Sequence, residues 1–199
     1  MVSARGSEAE GQEFMPDSRR TRRDFFDVAF ELLERSGFPA LTASALCERL
    51  GVSRGSFYHH FESFESFVTA LLADWEARYS RDLITRAETV TDLDRRLSYY
   101  VELATELPHG AEAAMRAWGS VEPAVAAAQR RVDQLRFDSL AGLLRSHGVP
   151  GAEAEIYATI ALNTLIGLQM TQRPIDSRRL ADLYAYLTGL LTASAQPAN

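Results

Sequence analysis

Cysteine occurs once in the 199 residues, at Cys47, so the chain can form no internal disulfide and no cysteine-rich zinc site. A lone small thiol in an apolar stretch reads as packing rather than as a redox sensor. No apolar run approaches the roughly 18 residues of a membrane helix, and the opening segment MVSARGSEAEGQEF has no signal-peptide core. A cytoplasmic location is the expectation. Lysine is absent, all 21 basic residues being arginine, which codon usage explains as readily as function does. Also missing are a glycine-rich phosphate loop, a CxxC pair, an HExxH helix and a nucleophile elbow. Histidine occurs four times without ligand spacing: His59 and His60 are adjacent, and His109 and His147 sit near helix ends. No catalytic residue, metal or cofactor is expected, and the chain is not read as an enzyme.

With 46% hydrophobic and 24% charged residues, the chain has the make-up of an ordinary globular protein. A net charge of -6 would argue against a nucleic-acid partner if it were evenly spread. It is not. Residues 1–17 carry one arginine and four acids, residues 61–199 thirteen arginines and eighteen acids, and residues 18–60 seven arginines and five acids. The positive balance therefore lies in one short stretch, where Arg19, Arg20, Arg22 and Arg23 precede the first apolar run. A phosphate backbone could use such a cluster, and a solvated helix start would look the same.

Residues 1–17, rich in Gly, Glu and Ser, read as a disordered tail. From Ser18 the pattern is helical almost throughout, with no convincing strand and no repeat of fixed period. Phe25, Phe26, Ala29, Phe30, Leu32 and Leu33 recur at helical spacing until Gly37 and Pro39 stop them. Thr42 caps a short second helix ended by Gly51, Ser53 caps a third over about 54–60, and Ser63 caps a fourth. Beyond residue 84 the helices lengthen: one carries Leu93, Leu97, Tyr100, Ala104 and Leu107. A short segment comes next, then a long helix over about 122–146 and two final ones over about 152–170 and 177–192. Short helices followed by long ones predict two units, 18–62 and 63–199.

Two short capped helices separated by LGVS form a helix-turn-helix signature. Gly51 can take the left-handed conformation that ends the second helix, Val52 plugs the corner, and the Ser53 oxygen serves the free donors of the third. At about 100° per residue, Phe57 and Phe61 point inward together while Gly55 and His59 face directly outward, flanked by Ser56 and Tyr58. An outward glycine costs a helix roughly 0.5–1 kcal/mol, which close approach to another surface would explain. Arg54, Ser56, Tyr58, His59 and His60 carry the donors and aromatic contact that base edges and phosphates accept.

The stretch LTASALCERLGVSRGSFYHHFES resembles the DNA-binding signature of the TetR family of bacterial transcriptional regulators, through Thr42, Leu46, Gly51, Val52, Ser53, Gly55, Tyr58 and Phe61. The later stretch MRAWGSVEPAVAAAQRRVDQLR resembles, more weakly, the ligand-domain sequence of some members. The resemblance implies an all-α fold, with an N-terminal three-helix helix-turn-helix domain followed by a larger helical ligand-binding and dimerisation domain. It implies a regulator, more often a repressor, released from a palindromic operator by a small apolar or amphipathic effector. Its partners would be double-stranded DNA, that effector and a second copy of the chain. By position, Thr42 and Tyr58 would meet phosphates, and Arg54, Ser56 and His59 would lie near base edges. Ser53, Gly55, His60, Arg22 and Arg23 complete the expected DNA-binding set.

Tyr99, Met115, Trp118, Phe137 and Asn163 fall on the helices that line the effector cavity in the family. Ile156, Ile160 and Gly167, with Leu180, Tyr184, Leu187 and Leu191, are the expected dimer interface. One departure stands out: where members usually place a lysine near the start of the fourth helix, this sequence has Phe64, preceded by Glu62. Together with the acidic total, that departure motivates the alternative of a small-molecule-binding or interaction protein of the same fold without operator binding.

Overall fold

Thr21 starts the first helix with a reciprocal cap: its hydroxyl accepts from the Asp24 N–H, while the Asp24 carboxylate accepts from the Thr21 N–H at 2.6 Å. Those bonds hold the Asp24 carboxyl below its ordinary range. The computed structural model describes residues 20–194, so the expected tail over 1–17 and Arg19 lie outside the described residues.

The helices run in order α1 (Arg22–Ser36), α2 (Ala43–Leu50), α3 (Arg54–His60), α4 (Phe64–Glu76), α5 (Asp82–Glu88), α6 (Leu93–Thr105), α7 (His109–Gly119), α8 (Pro123–Ser146), α9 (Gly151–Thr171) and α10 (Ser177–Ser194). No strand occurs among the described residues. Two features escape the sequence pattern. A 3-10 turn spans Phe38–Ala40, and a π turn, Ala77–Arg81, joins α4 to α5 where the periodicity reads as one continuous helix.

Two apolar clusters form the interior. The first gathers Phe25, Phe57, Phe67 and Trp75 from α1, α3 and α4, with Phe61 at the C-terminal cap of α3, and continues into Met115 of α7 and Val125, Ala128 and Val132 of α8. The core beneath the short helices is therefore shared with the long ones. The second cluster is built from Leu97, Leu107, Leu143, Leu144, Tyr157, Leu165, Leu180 and Tyr184.

Polar ties lock α1 to the later helices. The Glu34 carboxylate of α1 accepts from the Ala111 N–H at 2.7 Å, at the N-terminal end of α7. There the free backbone donors and helix dipole favour an anion. Gly110 allows this approach, since a Cβ there would come within 2.5 Å of a Glu34 oxygen. Arg78 in the π turn donates to Asp27 of α1 at 2.6 Å and pairs with Asp74 of α4, its guanidinium 5.5 Å from the Phe30 ring centre. Burial opposes its charge, and the two carboxylates outweigh that, so its affinity for a proton is raised.

Candidate nucleic-acid interface and internal cavity

Gly51 ends α2 in the left-handed conformation, φ 66°, and its N–H donates to the Cys47 and Glu48 carbonyls. The next N–H, of Val52, reaches the Cys47 carbonyl at 3.0 Å. Ser53 then accepts the Ser56 N–H at 3.2 Å and begins α3. Cys47 is buried, and its thiol donates to the Ser53 carbonyl at 3.5 Å, so the one cysteine helps close the turn between the two helices.

Beneath α3 lies an aromatic block. Phe57 is wholly buried and packs edge-on to Phe25, ring centres 5.7 Å apart, with Phe67 at 5.5 Å. Phe61 lies 4.9 Å from Phe67 and 5.6 Å from Phe25, again edge-on. Burying such rings is worth several kcal/mol together, so the roll of α3 about its axis is strongly determined.

That roll presents Arg54, Gly55, Tyr58 and His59 to solvent, with Tyr58 53% exposed. Arg54 donates to Ser44 of α2, a residue the helix pattern leaves unmarked; Ser44 is exposed on the helix that Thr42 caps. Ser56 departs from the expectation of an outward residue. At 8% exposure it is buried, because it lies on the flank of α3 that turns toward the α2–α3 turn. His60 is half-buried, its ring 5.5 Å from that of Phe25.

The arginines near the start of α1 are placed on the same side. Arg20 donates to the Leu50 carbonyl at 3.3 Å and Arg22 to the His60 carbonyl at 3.5 Å, one at the C-terminal end of α2 and the other at that of α3. Arg22 also lies over the Phe61 ring, 4.7 Å from its centre. Both therefore serve helix ends, where cations are favoured, as well as adding positive charge there. Arg23 is exposed.

A second feature lies among the long helices: a partly open cavity of about 120 Å³ lined by the π turn, α5, α6, α8, α9 and α10. Of the five residues expected around an effector, none lines it. Met115 is buried in the first cluster, and Trp118 stacks on Phe38 with the rings 2° from parallel, because α7 packs against α1 instead. Tyr99, Phe137 and Asn163 lie on helices that line the cavity but one step around them; the lining side chains there are Tyr100, Arg136 and Leu162. A change of one residue turns a helical side chain by about 100°, enough to move it from the cavity to its rim.

Arg136 ties this region together. Its guanidinium grips the Glu112 carboxylate with two bonds and donates to the Tyr79 carbonyl at 3.0 Å. Glu112 also accepts from Gln169 of α9 at 2.8 Å. Burial alone would raise the Glu112 carboxyl, and the attraction and bonds of Arg136 outweigh it, so the carboxyl sits below its ordinary range. Burial lowers the neighbouring His109 imidazole and pushes the Tyr184 phenol up.

Residues 25–71, from α1 through most of α4, match the family model for bacterial regulatory proteins of the tetR family. Over that segment the chain carries the DNA-binding signature of the TetR family. It is 27% identical to the HTH-type transcriptional regulator UidR of Escherichia coli (strain K12) over 95 residues, 48% of this chain and 46% of that protein. It is 31% identical to the HTH-type transcriptional repressor NemR of the same strain over 93 residues, 45% and 47% of the two chains. The alignment thus spans about half the length of these curated relatives. A TetR transcriptional regulator from Legionella pneumophila superposes with a TM-score of 0.75 over 86% of this chain and 97% of that one, at 13% identity, which speaks for the fold.

Within this matched segment the departure at Phe64 has a structural reason. Its ring stacks near Phe57 at 6.4 Å and lies 5.7 Å from Phe67, extending the block that supports α3. An aromatic contact stands where members place a cation. Phe64→Lys is expected to loosen that packing by about 1 kcal/mol and to add one phosphate contact. Titrated against duplex DNA, the variant should steepen log K against log salt by about 0.9. An unchanged slope would place residue 64 away from the DNA.

Proposed function

We propose that this chain is a ligand-responsive, sequence-specific DNA-binding regulator, acting as a repressor, in which α3 enters the major groove. What carries the reading is the outer face of α3: a bare glycine between exposed Arg54, Tyr58 and His59, on a helix whose roll is held by buried aromatic rings. A helix backbone unshielded at Gly55 can lie close to base edges, with Arg54 and His59 as donors and Thr42 and Tyr58 toward phosphates. The positive balance of residues 18–60 favours approach to DNA despite the acidic whole. On this reading residues 18–62 are the DNA-binding unit, residues 63–199 serve effector and partner, and α4 links the two.

Reading a palindrome requires two copies about 34–36 Å apart, or a small multiple of that. The outer sides of α9 and α10 offer the surface. Ile156 is 60% and Tyr186 71% exposed, with Ile160, Met170, Leu183 and Leu190 around them and Gly167 allowing close approach. Apolar exposure on this scale favours a partner. On α10 the interface would use Leu183, Tyr186 and Leu190 rather than the expected set, since Leu180 and Tyr184 are buried within the chain and Leu187 and Leu191 pack against the same inner cluster.

The cavity among the long helices supplies the effector site, and coupling to DNA is reciprocal: operator must weaken effector binding by the factor that effector weakens operator binding. The direct test is selection of bound duplexes from a random library by the purified protein at low and moderate salt. An enriched inverted repeat is the expected result. Binding that shows no enrichment and vanishes at moderate salt would overturn the reading.

A further inference from the structure

The cavity's walls define what it can hold. At about 120 Å³ it is close in size to the ~150 Å³ apolar cavity that accommodates benzene, so it fits a single ring with a small substituent or a short branched chain. Most of its lining is apolar, from residues such as Leu83, Leu97, Val101, Leu140 and Leu165. Arg136 is its one charged lining residue among those described, and no carboxylate lines it. That guanidinium is already neutralised by Glu112, which is 0% exposed, and bonded to the Tyr79 carbonyl. A charged ligand would lose its hydration and find no counter-charge to replace it.

The polar groups on the wall are mostly spoken for. Tyr100 and Ser139 pair at 2.6 Å, the Tyr157 hydroxyl meets Thr188 at 2.8 Å, and Tyr184 donates to the Ala161 carbonyl at 3.1 Å. Ser80 is different: it lines the cavity, is 1% exposed, and its hydroxyl is buried without a partner. Elsewhere in the molecule a helical hydroxyl finds the carbonyl four residues earlier, as Thr69, Ser98, Thr159 and Thr171 all do. Ser80 lies in the π turn, where the N–H of Asp82 bonds back to the Ala77 carbonyl five residues before it, and its hydroxyl makes no such bond. A buried hydroxyl left unpaired is costly and rare, which calls for a partner brought from outside the chain.

We propose that the cavity takes a small, uncharged, largely apolar molecule with one hydrogen-bonding oxygen, and that Ser80 on the π turn is the residue that recognises that oxygen. The proposal rests on reading this cavity as the effector site, and it adds the ligand's chemical class and the group that selects it. The π turn also places recognition where it can be transmitted. Its neighbours Arg78 and Tyr79 are tied to Asp27 of α1 and to Arg136, and α4, directly before it, carries the Phe64 and Phe67 support of α3.

The test is calorimetric titration of the purified chain with 4-methylphenol, with p-xylene, which replaces the hydroxyl by a methyl group of similar size, and with benzoate. The wild type is expected to bind the first two and not benzoate. Ser80→Ala should weaken 4-methylphenol about tenfold, the equivalent of ~1.4 kcal/mol for one hydrogen bond, and leave p-xylene as tightly bound as before. Retained p-xylene binding shows that the variant's cavity is intact. The proposal is overturned if the substitution weakens both ligands alike, if it weakens neither, if benzoate binds as well as 4-methylphenol, or if none of the three binds. These titrations use the protein without DNA, so a failed operator selection leaves their result standing and a failed titration leaves the operator reading standing.

Discussion

Glu112→Ala is expected to lower folding stability by about 3–5 kcal/mol, far more than a surface substitution costs. Glu112 is 0% exposed and takes both of its main bonds from Arg136, whose side chain is only 13% exposed. Removing the carboxylate leaves a guanidinium enclosed by protein and still bonded to the Tyr79 carbonyl, with no anion to offset its desolvation. It also strips Gln169 of its 2.8 Å acceptor. Denaturant unfolding followed by circular dichroism measures the loss.

The double substitution Glu112→Leu, Arg136→Leu should recover most of it, since a buried pair replaced by apolar groups of similar volume is often neutral or better. Near-equal losses in the single and double variants would show that packing, not charge pairing, is at issue. The pH dependence has a definite sign. Because the folded carboxyl lies below its ordinary value, its contribution is full at neutral pH, well above the unfolded pKa of about 4.3, and fades as pH falls through the folded value. His109 acts in the same direction: its folded pKa is lowered by burial, so acidification through the ordinary histidine range favours the unfolded chain.

The helix-turn-helix was legible in the sequence because each of its residues has a local job. A cap at Thr42, a left-handed glycine at 51, a cap at Ser53 and two phenylalanines four apart need only neighbours within a turn or two, and all of them are found as the pattern implies. Features that depend on distant parts of the chain were not legible. Whether α7 faces the cavity or α1 turns on the Glu34 carboxylate meeting the Ala111 N–H, 77 residues away in sequence. The resemblance puts Tyr99 and Phe137 on helices that line the cavity, but periodicity cannot settle 100° of roll when both sides of a helix are apolar. The same ambiguity affects α10, where two apolar stripes lie side by side and the inward one, Leu180 and Tyr184, carries the more regular spacing. The π turn leaves no mark in composition at all, since Ala-Arg-Tyr-Ser-Arg is unexceptional within a helix.

Arg54→Ala combined with Tyr58→Ala is expected to weaken binding to a selected inverted repeat by about a hundredfold or more, each contact being worth roughly 1–3 kcal/mol. The fold should survive. Arg54 is exposed and bonded only to Ser44, and Tyr58 is half exposed, touching the core through one edge-on contact with Phe57 at 5.2 Å. Substitutions of this kind usually cost a folded domain about 0.5 kcal/mol or less, so the melting curve should barely move while operator affinity collapses. The two singles separate the roles. Tyr58→Ala should weaken all duplexes uniformly if the phenol meets a phosphate, whereas Arg54→Ala should relax selection at one base position if the guanidinium reads a base edge. Should Arg54→Ala instead flatten the salt dependence by about one charge, with the preferred sequence unchanged, the base-reading role passes to His59, the other exposed donor on that face. Unchanged affinity of the double variant for its best site would remove α3 from the groove altogether, and with it the reason for a glycine at 55.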